Sequence, residues 1–345
     1  MSDLPALARF GDRLATGLTD VTSDPAALDS SGFWAVAADY EGRLTCARFR
    51  DVREAPVPAP GRWRGPAAGD WTSSLDRAAY TAGVRRIREH IAAGDVYQVN
   101  LCRVLSAPVP PDADVDALTA VLAHGNPAPY AGTIRLPGHG VEIATASPEL
   151  FLRRAGRTVE SGPIKGTART EAELLPKDHA ENLMIVDLVR NDIGRICTTG
   201  SVTVPDLCAV EKHPGLVHLV STVRGELRPG AGWPDLLAAA FPAGSITGAP
   251  KSSALRLIDA LETAPRGPYC GGIGWVDADR GTGELAVGIR TFWIDRSPGG
   301  AAVLRFGAGA GITWDSDPEG EWRETGLKAA RLLAVASGTY AETGL

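Results

Sequence analysis

Gly94-Asp95-Val96-Tyr97-Gln98-Val99-Asn100-Leu101-Cys102-Arg103-Val104-Leu105 joins two kinds of element. Before it, Val84, Ile87 and Ile91 recur at helical spacing, so the sequence predicts a helix from about Leu75 to Ala93, capped by Ser74 and ended by Gly94. After Gly94 the period falls to two. Gln98, Asn100 and Cys102 lie on one face of a predicted strand from Val96 to Leu105, with Tyr97, Val99 and Leu101 on the other.

The same alternation of periods runs outward in both directions. Val141 to Thr145, Glu149 to Arg153 and Arg157 to Ser161 read as strand pieces, the last returning after a turn at Gly156. Ile273 to Val276, Glu284 to Phe292 and Ala302 to Phe306 read as strands too. Helices are predicted from about Asp178 to Ile193 behind Pro176, after Pro250, and from Pro318 to about Ser337. Upstream, Phe33 to Ala37 and Leu44 to Ala47 form two strands around a turn at Glu41-Gly42. Strands in long antiparallel succession, interrupted by helices, point to an α+β chain rather than strict βαβ alternation. The expected domains are a short N-terminal partial lobe with a Pro/Gly-rich linker over 1–72, and one large domain over 73–345.

With 345 residues, 44% hydrophobic and 22% charged, the chain is an ordinary globular sequence long enough for a sizeable core. A net charge of -6 argues against bulk binding to nucleic acid or an anionic membrane. An anionic substrate would need a local cation. The five cysteines, with no C-x-x-C pair, suit a reduced, cytoplasmic protein, and no apolar run is long enough for a membrane span.

Several residues bear chemistry. Lys165, in Pro163-Ile164-Lys165-Gly166-Thr167, is an amine set against backbone that can act as nucleophile, base or charge clamp, or as an ion-pair partner. Gly244-Ser245-Ile246-Thr247-Gly248-Ala249-Pro250-Lys251-Ser252 fails the Walker pattern because Ala249 and Pro250 intervene. Gly307-Ala308-Gly309-Ala310-Gly311 fails the dinucleotide fingerprint, though such a strand end can offer N–H groups to a carboxylate, or simply pack tightly. Glu181 sits on one predicted helix with Asp187 and Asp192; Glu321, Glu324 and Lys328 share a face of another. Carboxylates from two helices facing one cleft would suit Mg²⁺; the alternative is two solvated helix faces. His218 in an apolar run is either a core histidine or a proton donor. Arg290, breaking an apolar strand, needs an anion from protein or substrate.

Taken in order, these motifs resemble the chorismate-utilising enzymes over roughly residues 73 to 337. The resemblance rests on Gly94 to Leu101, Ser147-Pro148-Glu149, Pro163 to Thr167, Ala180 to Leu188, Val189-Arg190-Asn191-Asp192, His218 to Ser221, Gly244 to Lys251, Tyr269-Cys270-Gly271-Gly272, Ile289-Arg290-Thr291 and Gly307 to Ile312. It implies a layered α/β sandwich of two large, mostly antiparallel sheets with flanking helices. It implies that 73–345 is a chorismate-binding catalytic domain. Ammonia-using members carry glutamine at the position of Gln98, and members that make 4-amino-4-deoxychorismate carry lysine at that of Lys165; anthranilate-forming members usually have alanine there. The resemblance therefore implies amination of chorismate at C4, on the route to p-aminobenzoate and folate.

It also implies roles. Mg²⁺ would be held by Glu181 and Glu324, with Glu321 directly or through water. Arg290, Tyr269 and backbone at Gly309 and Gly311 would hold the enolpyruvyl carboxylate; Thr167 and Thr247 would contact the ring, and Lys328 would join the substrate site. Lys165 would attack C2, with Glu149 or His218 giving the proton to the leaving hydroxyl. No Gly-x-Cys-x-Gly elbow surrounds any cysteine, so ammonia is expected from a glutamine amidotransferase partner or from solution.

Overall fold

The computed structural model describes residues 4–59, 63–168, 170–174, 176–213, 216–296 and 301–340; the side chain of Thr167 lies outside the description. The strands are antiparallel wherever they pair, and hydrogen-bonded ladders link them into one continuous sheet. The class is α+β, as expected. The two sheets of the expected sandwich are thus joined to each other by strand pairing.

Its central ladder joins the strand Gln98–Val109 to Ala302–Ile312, from Val109 opposite Ala302 to Val99 opposite Ile312. The first strand begins two residues later than the alternation predicts and runs four further. Helix α1 (Arg77–Ala92) precedes it. Asp76, not Ser74, caps that helix, accepting from the Ala79 N–H at 2.8 Å, while Ser74 Oγ accepts from Val104 N–H at 2.9 Å. Ser74 thus ends the neighbouring strand edge rather than the helix.

Helices α2 (Val115–Gly125), α3 (Pro176–Gly194), α4 (Trp233–Ala240), α5 (Lys251–Leu261) and α6 (Pro318–Ala336) complete the helical set among the described residues. Helix α6 and α1 close over the central ladder through Tyr80, Val84, Ile87, Leu101 and Ile312. Further along the same face of the ladder, Leu118, Leu122, Phe292, Phe306 and Leu332 form a second core. A third, the largest, joins Trp34, Val36, Leu152, Ile185, Val223, Trp233 and Leu285.

The N-terminal strands belong to the same sheet. Leu7–Phe10 pairs with Tyr130–Leu136, and Phe33–Ala38 pairs with Gly272–Asp277. The Phe33–Ala38 and Leu44–Glu54 hairpin turns where Glu41-Gly42 predicts. Among the described residues no helix is long and apolar enough to cross a membrane.

Candidate functional site

Lys165 lies on the strand Ile164–Ala168, paired with Leu216–Glu226. Lys165 stands opposite Leu219 and Thr167 opposite His218, so the register slips at Gly166. Gly166 has φ +76, and a Cβ there would lie 2.9 Å from Asp178 Cβ on α3. Only glycine meets both demands, and the resulting bulge re-aims the side chain beside it. The Lys165 Nζ donates to the Ser245 carbonyl at 3.4 Å, and the side chain is half-buried.

Burial pushes the Lys165 amine below the usual lysine range; Glu181, Glu149 and Glu324 oppose that push, and Lys328 adds to it. Residues from 149 to 328 thus bear on the titration of one amine. Glu149 is 4% exposed, and burial lifts its carboxyl to about 7 against the pull of the Ser245 hydroxyl, the Lys165 charge and the Ile164 N–H. His218 is buried on the neighbouring strand.

The acidic residues separate into two groups. Glu181 and Glu324 both act on Lys165. Glu324 also pairs with Lys328 at 2.7 Å, and Lys328 Nζ donates to the Gly309 carbonyl at 3.1 Å. Glu321 accepts from Ser316 Oγ at 2.6 Å. Asp187 pairs with Arg190, and Asp192 with Lys251 at 2.6 Å and Arg195 at 2.7 Å, so these two are structural. No three His, Cys, Asp or Glu side chains converge as an ion cage among the described residues. In donor chemistry Glu181 and Glu324 each offer hard carboxylate oxygens from a separate helix, and Mg²⁺ keeps waters and needs only one or two carboxylates.

Across the central ladder, Tyr269 lies flat on Gly307, where a Cβ would fall 2.0 Å from its ring. Burial raises its hydroxyl well above the usual tyrosine range, so it stays protonated. The N–H groups of Cys102 and Asn100 donate outside the ladder, to Glu262 and to the Thr247 carbonyl. Their partners Gly309 and Gly311 therefore form non-hydrogen-bonded pairs, with their own N–H groups aimed away from Gln98–Val109. The next strand, Thr291–Arg296, pairs no further than Phe306, which leaves those N–H groups available.

Arg290 sits at φ 51, a strained conformation for an arginine. Burial and nearby Arg331 push its guanidinium below the usual range. Among the described residues its side chain has neither an ion pair nor a hydrogen bond. Thr247 is buried and turned inward, its hydroxyl donating to the Ala243 carbonyl at 3.1 Å.

Sequence reasoning missed Asn182, and it singled out Gln98 without seeing the state of its amide. Asn182 is fully buried, donating to the Leu219 carbonyl at 3.2 Å and accepting from Ser221 Oγ, which anchors Glu181's helix to the His218 strand. Its neighbour in sequence, Glu181, was the visible signal. Gln98 is fully buried, and among the described residues neither of its amide atoms nor Asn100 Oδ1 has a partner; both side chains border Gly311. Orphaned amides of this kind call for an explanation.

Residues 38–334 match the family described as chorismate binding enzyme. Anthranilate synthase component 1 of Streptomyces coelicolor is 42% identical over 306 residues, covering 83% of this chain and 58% of that protein. The aminodeoxychorismate synthase component 1 of Salmonella typhimurium is 37% identical over 320 residues, covering 87% of this chain and 68% of that one. The chain thus spans little more than half the length of the first of these relatives. A 2,3-dihydroxybenzoate-specific isochorismate synthase structure from Bacillus anthracis superposes with a TM-score of 0.81 at 25% identity, covering 97% of each chain. A match along most of the sequence, from relatives of this identity, shows that the chain belongs to the chorismate binding enzymes.

Proposed function

We propose that the chain aminates chorismate at C4 to give 4-amino-4-deoxychorismate, using ammonia from a glutamine amidotransferase partner. The observation that carries this is Lys165: a half-buried amine, depressed by burial, facing a carboxylic acid that titrates near neutrality. A depressed pKa leaves a larger share of the amine neutral and nucleophilic.

Arg290, lacking a protein anion, and the free N–H groups of Gly309 and Gly311 form a seat for the enolpyruvyl carboxylate, beside Tyr269. Thr247 walls the ring side. Lys328 contributes a second cation. Lys165 Nζ bonds to C2 as both ring double bonds shift, C1=C2 to C1=C6 and C5=C6 to C4=C5, and the C4–O bond breaks. The hydroxyl leaves as water, taking a proton from Glu149 or His218. Ammonia then bonds at C4, the C2–N bond breaks, and the lysine amine is released; the surplus ammonia proton restores the acid. Gln98 and Asn100 offer unpartnered polar atoms to a small polar nucleophile. Mg²⁺, held by Glu181 and Glu324 with Glu321 alongside, would neutralise the ring carboxylate.

Chromatography of products from chorismate, ammonium and Mg²⁺ tests the reading. The 4-amino product is expected, and Lys165→Ala should abolish it. Anthranilate is the competing outcome, favoured by the 42% identity to an anthranilate synthase component. Its dominance, or unchanged product from Lys165→Ala, would reject the covalent role. No turnover at saturating ammonium would instead indicate an inactive scaffold for the amidotransferase.

A further inference from the structure

Arg266 lies outside the proposed chemistry, yet its side chain is 1% exposed and engaged along its length. Nε donates to Glu262 Oε2 at 2.8 Å and Nη2 to Glu262 Oε1 at 2.7 Å. Nη1 donates to the Ile246 carbonyl at 2.9 Å, and Nη2 also reaches the Asn100 carbonyl at 3.1 Å. The guanidinium lies 4.2 Å from the centre of the Tyr40 ring. Glu262 Oε1 accepts the Cys102 N–H at 2.8 Å as well.

An ion pair this deep contributes little net stability over an apolar pair of the same shape. Its geometry is more specific than stability requires. The two carbonyls it grips belong to the two segments that border the Lys165 amine. Ile246 follows Ser245, whose carbonyl accepts from Lys165 at 3.4 Å and from Asn100 Nδ2 at 2.8 Å. Asn100 in turn sits on the central ladder opposite Gly311. One planar fork therefore fixes the turn 244–247 against the strand Gln98–Val109. Lysine, a point charge, could neutralise Glu262 but could not hold both carbonyls.

We propose that Arg266 is a positioning residue that sets the seat of the Lys165 nitrogen through the Ile246 and Asn100 carbonyls. This rests on Lys165 being the nucleophile.

Arg266→Lys tests it in the full chain, with Val276→Ala as a control that destabilises the core away from both carbonyls. At a temperature where both variants are folded, Arg266→Lys should lower kcat by about 10²-fold with KM for chorismate within about threefold, as for a misplaced reacting group. Val276→Ala should keep the wild-type kcat. Reductive methylation without substrate, read by peptide mass spectrometry, should modify Lys165 faster in Arg266→Lys than in wild type. A kcat within about threefold of wild type, or an unchanged labelling rate, would overturn the proposal. If Arg266→Lys does not fold, Glu262→Gln replaces it under the same two criteria: it keeps an acceptor for Cys102 and removes the charge that aims Arg266. Should the wild-type chain form no 4-amino product, the functional reading fails, while the labelling comparison still decides whether Arg266 seats the amine.

Discussion

Glu149 carries a testable consequence for stability. Its folded pKa of about 7 lies above the ordinary 4.5, so the folded chain holds a proton that the unfolded chain has lost between those values. Stability is therefore greatest below pH 4.5 as far as this group is concerned, and falls as pH rises to 7, by about 3 kcal/mol in total. Glu149→Gln should flatten that slope in urea titrations at pH 5 and pH 7.5; an unaltered slope would mean another group carries it. Arg290 gives the opposite test. A cation with no protein partner contributes nothing to stability, so Arg290→Ala should leave the melting temperature unchanged or higher. If it binds a substrate carboxylate, the variant should raise KM by about 10- to 100-fold, the worth of a charge-assisted contact. A large loss of stability with unchanged KM would return Arg290 to a structural role. At this scale Lys165, Glu149, Glu181 and Glu324 were legible as candidates, and in the structure the three carboxylates each bear on the titration of the Lys165 amine. The unpartnered amide of Gln98 was not, because satisfaction of a polar atom depends on neighbours far along the chain.

Elements show where periodicity succeeds and where it breaks. Helix α3 and helix α6 announce themselves through Pro176 and Pro318 at their first turns. The strand Thr203–His213 went unread. Its register slips between Thr203 and Asp206 and again before Ala209, and Cys208 sits at φ 53, so its side chains never alternate for long. Helix α4 is only eight residues long and starts at Gly232 without a side-chain cap, which leaves little signal. Gly166 is the position where local conformation and function meet. Gly166→Ala forces φ +76 on a residue with a Cβ and drives it toward Asp178. It should cost about 1–3 kcal/mol and depress turnover more than stability alone explains. Full activity at a temperature well below its midpoint would show that the bulge does not aim the lysine. Asn182→Ala leaves the Leu219 carbonyl and Ser221 hydroxyl without their partner and should cost about 1–3 kcal/mol in urea unfolding.

For the whole molecule, the governing fact is distance along the chain. The central ladder joins 98–109 to 302–312, and the hairpin at 33–54 completes its pairing only at 272–277. Such pairings form late, because loop closure must precede any gain from contact. Refolding followed by tryptophan fluorescence should therefore pass through a populated intermediate and finish in seconds or longer; a single millisecond phase would contradict this. Neither the partners of those strands nor their order was visible in the sequence, since alternation marks a strand without naming its neighbour.

The interleaving of early and late segments also governs how the polypeptide responds to damage. A protease nick in the 52–72 stretch, or a mutation in the first hairpin, is not confined to a dispensable appendage. The severed piece still shares its backbone bonds with residues 272–277, which run straight into Tyr269 and the turn toward Arg290. Harm done near the amino end is felt at the seat proposed for the carboxylate, so variants there should be sorted by what they do to substrate affinity as well as by solubility.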